Sequence, residues 1–357
     1  MINTVEKEFI IREAISADYA AWDLFTESHP NASPYHLIAW KKAIEEAYFH
    51  ECFYLIAEHN TKIVGILPLV KVSPPFLKGS ICSLPFCDIG GPLVTEQNAL
   101  PPLLARAKTI SQTHSASQLS LRENSQLAFD EKKSDKDLKG QKVRMILALP
   151  ESSEALMKSF KSKLRSQIKK AEKNGISYTQ SNNQSAIDAF YSIMQANMRL
   201  LGSPVHSKKW FESVIKHYGD NAKIGLVTKD DTVIGAAIVL LCANVATVPW
   251  ASTLNEFNKY SPNMGLYWGL IGSATDNGYN TFDFGRSTIG EGTYRFKKQW
   301  GAKPALLNWQ DYDHNGLIEP FETGASKLRP FIASTWSKLP ASITNALGPL
   351  LRRYITL

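Results

Sequence analysis

The sequence has little cysteine: there are four among 357 residues, and no two are spaced as Cys-x-x-Cys. No pair of histidines at metal-ligand spacing lies near them, so the sequence predicts neither a zinc site nor a redox motif. We interpret Cys52, Cys82, Cys87 and Cys242 as reduced packing residues. We therefore expect no bound metal and no permanently bound cofactor.

An apolar leader segment is also absent. Charges run through the first fourteen residues, which argues against a signal peptide and favours a cytoplasmic protein. One uncharged segment, Thr232 to Asn255, approaches the length of a membrane span. Gly235, Asn244 and Pro249 interrupt it, and its β-branched runs predict adjacent buried strands joined by a turn.

Basic residues exceed acidic ones. The chain has 40 Lys and Arg residues against 33 Asp and Glu residues, a formal net charge of +7. Such a balance suggests an anionic partner, whether a phosphate, a nucleic acid or an acidic membrane surface. The 44% hydrophobic content is ordinary for a globular chain, and the length predicts two medium-sized domains.

A weak internal repeat predicts the domain organisation. Six residues recur 170 positions later: Ser33, Pro34, His36, Trp40, Tyr48 and Gly65 correspond to Ser203, Pro204, His206, Trp210, Tyr218 and Gly235. Both copies predict a helix opened by Ser-Pro, with one buried stripe, and then a β-hairpin with a polar turn. We therefore predict two copies of one α/β domain, residues 1–150 and 151–315, and a helical tail, residues 316–357.

Two features of this organisation leave alternatives open. The histidines at the helix starts, His36 and His206, are either capping and packing residues or catalytic ones. The apolar and basic tail ends in a segment, residues 343–357, that predicts a short amphipathic helix. That helix either packs on the protein body or contacts an anionic membrane.

A basic amphipathic helix is predicted over residues 156–173. One face is apolar, and basic residues follow the opposite face at helical spacing: Lys158, Lys161, Arg165 and Lys169. Asn174 and Gly175 end the helix. A one-sided cationic face suits a sugar-phosphate backbone or a pyrophosphate, whereas the alternative is a solvated surface stripe.

The segment from Pro262 to Tyr312 combines a helix, a strand and a loop rich in hydrogen-bond donors. The pattern predicts the helix over residues 264–275 and the strand over residues 281–284. Glycines then allow close backbone approach to a ligand, and the loop carries donors suited to anions: Arg286, Ser287, Thr288, Thr293, Tyr294, Lys297 and Lys298. This density of donors predicts a binding site.

The same segment resembles the second-domain signature of the Fem-type aminoacyltransferases, in particular the FemAB-like proteins associated with exopolysaccharide and PEP-CTERM/exosortase loci. The specific part is the string RSTIGEGTYRFKKQWGA at residues 286–302. The basic helix and residues 84–94 are similar to further segments of the family, so the resemblance covers most of residues 1–315. It implies an α/β fold of two tandem GNAT-like (acyl-CoA N-acyltransferase) domains, with mixed central sheets flanked by helices.

The resemblance also implies a reaction. It is acyl transfer to an amine, typically of an aminoacyl group from charged tRNA onto a peptidoglycan precursor, in the cytoplasm at the inner membrane face. Lys297 occupies the place of the family's lysine that assists catalysis or stabilises the bound tRNA end. A fixed cation would stabilise the oxyanion that forms when an amine attacks an ester or thioester. Tyr294 would orient donor or acceptor, and Asp283 would either accept the amine proton or have a structural role in its strand.

Phosphate or substrate contacts are expected from the remaining donors: Arg286, Ser287, Thr293, Lys298, Lys161, Arg165 and Lys169. The donor substrate stays open between aminoacyl-tRNA and acyl-CoA. The sequence shows no sustained heptads for the coiled-coil arm of several tRNA-using family members. It also has no clear acyl-CoA pyrophosphate motif of the GNAT type.

We predict an acyltransferase that acts on an amino group of a cell-envelope, peptidoglycan or exopolysaccharide precursor. Direct attack is expected, because no Ser-His or Cys-His pair stands out as a nucleophile. One alternative is a GNAT-fold protein that binds envelope glycolipid or RNA without catalysis. Another is an acyl-CoA-dependent N-acetyltransferase of small-molecule metabolism.

Overall fold

The computed structural model describes residues 9–124, 135–313, 316–318 and 324–356. Up to residue 124 the elements are β1 Ile10–Glu13, α1 Tyr19–Ser28, α2 Ile38–Tyr48, β2 Glu51–His59, β3 Lys62–Val72, β4 Ser80–Cys82, β5 Leu93–Val94, α3 Leu100–Thr113 and β6 Leu119–Asn124. The following elements are β7 Lys142–Ala148, α4 Ser153–Ser159, α5 Ser162–Lys173, β8 Ser177–Ser181, α6 Gln184–Leu200, α7 Lys208–Tyr218, β9 Ala222–Lys229, β10 Thr232–Cys242, β11 Val245–Thr253, α8 Pro262–Asp276, β12 Thr281–Thr288, α9 Gly292–Gln299, β13 Lys303–Asp313, β14 Gly316–Ile318, α10 Gly324–Lys338 and α11 Ala341–Arg352.

Contacts divide the chain into two compact units. Unit 1 is Met1–Asn124, Leu307–Phe321 and Tyr354–Leu357, and unit 2 is Ser125–Leu306 and Glu322–Arg353. The domain bounds predicted from the sequence follow the repeat instead, and they assign β7 to the first domain. In the structure β7 pairs with β12 and belongs to unit 2. The high charge of residues 130–142 predicts an exposed linker between the two copies, and residues 130–134 of it lie outside the described residues.

Unit 1 contains a mixed sheet in the order β1, β2, β3, β4, β6 and the second part of β13. Neighbouring strands are antiparallel except β4 and β6, which are parallel. Helix α3 packs on β1, β2, β3 and β6, and its apolar stripe of Leu103, Ala107 and Ile110 is buried there. The 3.6-residue period of these positions explains why one face of the helix closes the core.

Unit 2 contains a sheet in the order β8, β9, β10, β11, β12, β7 and the first part of β13. Here β11 and β12 are the parallel neighbours. Helix α8 packs on β8 to β11, α5 packs on α8, and α6 packs on β9 to β11. The uncharged segment that approaches a membrane span in length is β10 and β11, as predicted from its interruptions.

The two units repeat one topology. In unit 1, α1 and α2 separate β1 from β2, and in unit 2, α6 and α7 separate β8 from β9. Three antiparallel pairings join β1 to β4 and β8 to β11, and a helix, α3 or α8, precedes the strand that pairs in parallel, β6 or β12. Both hairpins turn through two residues in the left-handed region, Asn60 and Thr61 in one unit and Asp230 and Asp231 in the other. This is the turn geometry that matches the twist of antiparallel strands. The predicted tandem α/β fold is confirmed.

Candidate functional site

Two parallel strands of unit 2 separate along their length. β11 and β12 pair only where residues 245–247 face residues 281–283. Beyond these positions β11 continues against β10, and β12 continues against β7. Among the described residues no further ladder joins β11 to β12, so backbone groups on the facing edges are open to a ligand.

A bulge in β12 lies where the strands separate. The register against β7 shifts between Asp283 and Arg286, and Gly285 has a φ of 69°, which glycine adopts without steric cost. Lys297 on α9 fixes this bulge, because its Nζ donates to the carbonyl oxygens of Gly285 at 3.1 Å and Arg286 at 2.7 Å. Its side chain is buried. A cation is therefore held at the point where the gap between β11 and β12 begins.

Asp283 forms a buried ion pair. Its Oδ2 accepts from Nε and Nη2 of Arg144 on β7, at 3.0 Å and 2.5 Å, and its Oδ1 accepts from the backbone N–H of Gly285 at 2.8 Å. Only 1% of Asp283 is exposed. Because both oxygens are occupied, these contacts favour the structural role of Asp283 over the role of general base.

Two buried hydroxyl groups flank the same gap. Thr247 is the last β11 residue paired with β12, and Ser287 lies beyond the bulge on β12. Neither hydroxyl oxygen has a hydrogen-bond partner among the described residues. A buried polar atom without a partner costs free energy, so both hydroxyls are candidates for contact with a water molecule or a bound substrate.

Tyr294 and Lys298 on α9 converge on one carboxylate. The Tyr294 hydroxyl donates to Oδ1 of Asp135 at 2.9 Å, and Lys298 Nζ donates to Oδ2 at 2.6 Å. The Lys298 hydrogen bond holds the pKa of Asp135 below its usual range, and the same bond raises the pKa of Lys298. Burial, together with Asp135, raises the pKa of Tyr294. Tyr294 therefore anchors the segment before β7.

A pocket of about 680 Å³ lies between the end of β7, helices α4 and α5 and the end of α9. Leu147, Phe160 and Trp300 are among its apolar lining residues, and Lys161, Lys163 and Lys298 are its basic ones. A lining of apolar and basic residues suits a ligand that carries both an apolar part and a phosphate.

The predicted basic helix is two helices. α4 ends at Ser159, Phe160 has extended backbone angles, and α5 begins at Ser162. The prediction of one continuous helix over residues 156–173 is therefore wrong. Its apolar stripe is nevertheless buried: Leu156, Phe160, Leu164, Ile168 and Ala171. The buried Phe160 ring packs edge-on against Trp268 and Trp300, and this packing accounts for the break.

The structure places the predicted cationic residues in different surroundings. Lys161 and Lys298 line the pocket, whereas Arg165 and Lys169 are not among its lining residues. Lys169 is exposed, and Arg165 Nη1 donates to the Lys158 carbonyl oxygen at 3.2 Å. This bond fits the alternative of a surface stripe for that part of α5.

The donor-rich loop predicted after Phe284 is mostly regular structure. β12 continues to Thr288, and α9 begins at Gly292. Arg286 is partly buried on β12 opposite Arg144, and Thr293 is exposed in the first turn of α9. The bulge, rather than a long loop, gives the backbone the irregularity that the glycine content indicated.

Sequence reasoning missed four site residues: Arg144, Asp135, Thr247 and Lys163. A signal existed for Arg144, because a charge between apolar residues in the strand KVRMILA requires a partner when it is buried. Asp135 lies in a segment interpreted only as a linker, and Thr247 in an uncharged strand gives no signal of chemistry.

The helix-start histidines have packing roles. His36 bonds to Ser33 through Nδ1 and to the Gly91 carbonyl oxygen through Nε2 at 3.0 Å, and both His36 and His206 are buried. His206 stacks on Trp210, and burial lowers its pKa well below the usual value. Within the described ranges, no cluster of His, Cys, Asp or Glu has the size to hold a metal ion. Nor does any helix there have the length and apolarity to cross a bilayer.

Comparison with known proteins agrees with this geometry. A family model described as an acetyltransferase (GNAT) domain matches residues 158–298. Among curated protein sequences, none is significantly similar to this chain. The matched range lies within unit 2 and spans both the basic segment and the site around Lys297.

Solved structures are similar over nearly the whole chain. The crystal structure of FemX has a TM-score of 0.69 at 16% identity, over 91% of this chain and 100% of that one. L-PGS from Bacillus licheniformis has a TM-score of 0.55 at 10% identity, over 97% and 98%. The C-terminal domain of a putative lysylphosphatidylglycerol synthetase from Agrobacterium fabrum has 0.53 at 9%, over 90% and 96%. The chain therefore has a tandem GNAT-like fold similar to that of FemX.

Proposed function

We propose that this protein is an acyltransferase that moves an aminoacyl or other acyl group onto an amino group of a cell-envelope or exopolysaccharide precursor. The observation that carries the proposal is the position of Lys297, whose ammonium group is fixed where the parallel strands β11 and β12 separate. The GNAT domain match and the fold similarity to FemX and L-PGS support an acyl donor.

The proposed chemistry is direct transfer in the gap between β11 and β12. The acceptor amine attacks the carbonyl carbon of an ester or thioester, and the oxyanion that forms is stabilised by the nearby ammonium group of Lys297. The new C–N bond then replaces the C–O or C–S bond, and the amine proton leaves with the departing oxygen or sulfur. This route needs no carboxylate base, which is consistent with the occupied oxygens of Asp283.

Substrate phosphates are proposed to bind at the pocket rim. Lys161, Lys163 and Lys298 are among the residues that line the pocket, and no acidic residue is. Arg286, Ser287 and Thr293 stay proposed substrate contacts on β12 and α9. Tyr294 is proposed to act indirectly, by holding Asp135 and thereby Lys298.

The proposal is tested by measuring product formation with the Lys297→Ala variant. Labelled aminoacyl-tRNA and acetyl-CoA are each offered with a lysine-containing peptidoglycan precursor as acceptor. We expect turnover to fall by ~10²-fold, the size of effect seen when an oxyanion donor is removed. Lys297→Arg tests whether a cation alone suffices, and Lys62→Ala, at an exposed lysine on β3, is the matched control.

Each outcome of this experiment has a defined meaning. Thermal unfolding of the variants separates loss of chemistry from loss of the β12 bulge, because Lys297 also binds two carbonyl oxygens. Unchanged turnover in a folded Lys297→Ala variant contradicts the assignment. If product forms with only one of the two donors, that compound is the acyl donor. Saturable binding without product from either donor would favour a binding protein.

A further inference from the structure

Large apolar side chains are exposed along the carboxyl-terminal helices of unit 2. Phe331 is 72% exposed, Leu201 62% and Leu350 58%. We name the set the carboxyl-terminal apolar surface, and it consists of Leu200, Leu201, Phe331, Ile332, Ile343, Leu347, Leu350 and Leu351. A monomeric protein rarely exposes so many large apolar residues in one region without a partner.

Helix α11 buries small residues and exposes large apolar ones. Its buried residues are the small Thr344 and Gly348, and Gly348 packs against Val205. Its large residues instead face outward at helical spacing: Ile343, Leu347, Leu350 and Leu351. A helix that only docked on the protein body would turn these large residues inward.

Contacts within unit 2 bring the members of this surface together. Helices α10 and α11 both pack on α6, and the Nε of Arg199 donates to the Leu339 carbonyl oxygen at 2.9 Å. Gly202 lies against the backbone of Ala333, so Leu201 and Ile332 are each one residue away from this contact. The exposed residues therefore belong to one region at the end of α6.

The charge of this region indicates its partner. Residues 331–353 contain three basic residues and no acidic residue: Lys338, Arg352 and Arg353. A second copy of the chain would present the same positive charge and would be repelled. An anionic lipid surface, in contrast, accepts the apolar side chains and attracts the basic ones.

We propose that the carboxyl-terminal apolar surface docks unit 2 on an anionic lipid bilayer, with α11 lying in the plane of the interface. Leu347, Leu350 and Leu351 would enter the boundary between headgroups and acyl chains, while Lys338 stays at the level of the phosphates. This inference does not depend on the proposed acyl transfer, and its test needs no substrate.

The test is flotation of the full chain with vesicles. The vesicles contain phosphatidylcholine alone or phosphatidylcholine mixed with phosphatidylglycerol. We expect binding to the mixed vesicles that weakens as salt increases. Leu350→Ser combined with Leu351→Ser should weaken it at least ~10-fold, because two buried leucines are lost. Lys338→Glu should weaken it by several-fold.

The matched control changes apolar residues that are exposed elsewhere. Phe76 and Leu77 in unit 1 are 106% and 70% exposed, and Phe76→Ser with Leu77→Ser should leave vesicle binding unchanged. The proposal is overturned if the Leu350→Ser, Leu351→Ser double variant binds vesicles as well as the wild type does. It is also overturned if the control variant loses vesicle binding. Concentration-dependent self-association without vesicle binding, measured by sedimentation velocity, would also overturn it in favour of a second copy.

Discussion

The Arg144–Asp283 pair shows how a charged residue inside a sheet acquires its role. The side chains are 10% and 1% exposed, so each charge has lost most of its hydration. Neither charge is tolerable there alone, and the two strands that carry them are direct neighbours. The same carboxylate oxygen that would accept a proton from a substrate amine is already bound to a guanidinium group.

Replacing Asp283 tests this structural assignment. Asp283→Asn removes the carboxylate charge from a buried ion pair with Arg144, so we expect the free energy of unfolding to fall by ~3 to 5 kcal/mol. Equilibrium unfolding in urea measures the change. The control is Glu154→Gln, which breaks an exposed pair with Lys158 and should change stability by less than ~0.5 kcal/mol.

A different outcome would restore the catalytic role of Asp283. If Asp283→Asn is as stable as the Glu154→Gln control and yet forms no product, Asp283 acts as the base and its pairing with Arg144 is secondary. Stability and product formation together therefore decide between the two roles that the sequence left open.

Individual residues of the site were predictable from the sequence only where a motif named them. Lys297 lies in a recognisable sequence motif, and in the structure its side chain binds the backbone at the bulge in β12. Its contacts with the carbonyl oxygens of Gly285 and Arg286 were not predictable, because they depend on the bulge. Thr247 and Arg144 are brought to the site by strand pairing, which no local pattern encodes.

Among the elements of unit 2, the start of helix α5 carries an unfavourable residue. Lys161 is at the N-cap, where its side chain makes no capping hydrogen bond, and a positive charge lies at the positive end of the helix dipole. Ser152 at the N-cap of α4, in contrast, accepts from the Ala155 N–H. A poor cap that lines a pocket is consistent with a ligand-binding role for Lys161.

If Lys161 binds a ligand at the expense of helix stability, a substitution at this position should change stability and ligand binding in opposite directions. Lys161→Asp supplies a capping oxygen and a favourable charge, so we expect the protein to be stabilised by ~1 kcal/mol. The same change should weaken binding of an anionic ligand, for which pyrophosphate is a simple probe, by at least ~5-fold. Thermal unfolding and calorimetric titration measure the two effects on one sample.

The control for this prediction is Lys173→Ala at the other end of α5. Lys173 is exposed and is not among the pocket's lining residues, so its loss should leave pyrophosphate binding unchanged. Equal weakening by both variants would mean that the probe responds to net charge and not to the pocket. Destabilisation by Lys161→Asp would show that the cap interpretation is wrong.

Elements were predicted well where periodicity was strong and less well at their ends. The buried stripe of α4 and α5 followed from helical spacing, but the break at Phe160 did not, because it depends on packing against Trp268 and Trp300. β12 extends past Phe284, since a glycine in a strand can mark a bulge as well as a loop. Turn residues Asn60 and Asp230 were recognisable from composition alone.

For the whole molecule, the repeat predicted the topology but not the path of the chain. Unit 1 consists of residues 1–124 completed by two later segments, residues 307–321 and 354–357. The second part of β13 pairs with β6, and these strands are far apart in the sequence. The internal repeat gives no information about these two later segments, because each occurs in only one of the two copies.

The last described residues of the chain supply a prediction at this scale. The Thr356 carbonyl oxygen accepts from the Phe86 N–H at 2.7 Å and from Nη1 of Arg122 at 3.1 Å. Arg122 is only 3% exposed, and Nη1 also donates to the carbonyl oxygens of Leu84 and Cys87. The Thr356 carbonyl oxygen therefore supplies one of the acceptors of a buried guanidinium group in unit 1.

Deleting residues 354–357 should destabilise the protein although the segment is short. The deletion orphans the Phe86 N–H and removes one acceptor from Arg122, so we expect a loss of ~2 to 4 kcal/mol in urea unfolding. Ile355→Ser is the control: it alters a side chain that is 37% exposed, keeps the Thr356 carbonyl and should cost less than ~1 kcal/mol. If the truncated chain and the Ile355→Ser variant unfold at the same urea concentration, the backbone contacts of Thr356 contribute nothing measurable. A loss confined to the truncation instead means that unit 1 is complete only when the end of the chain is in place.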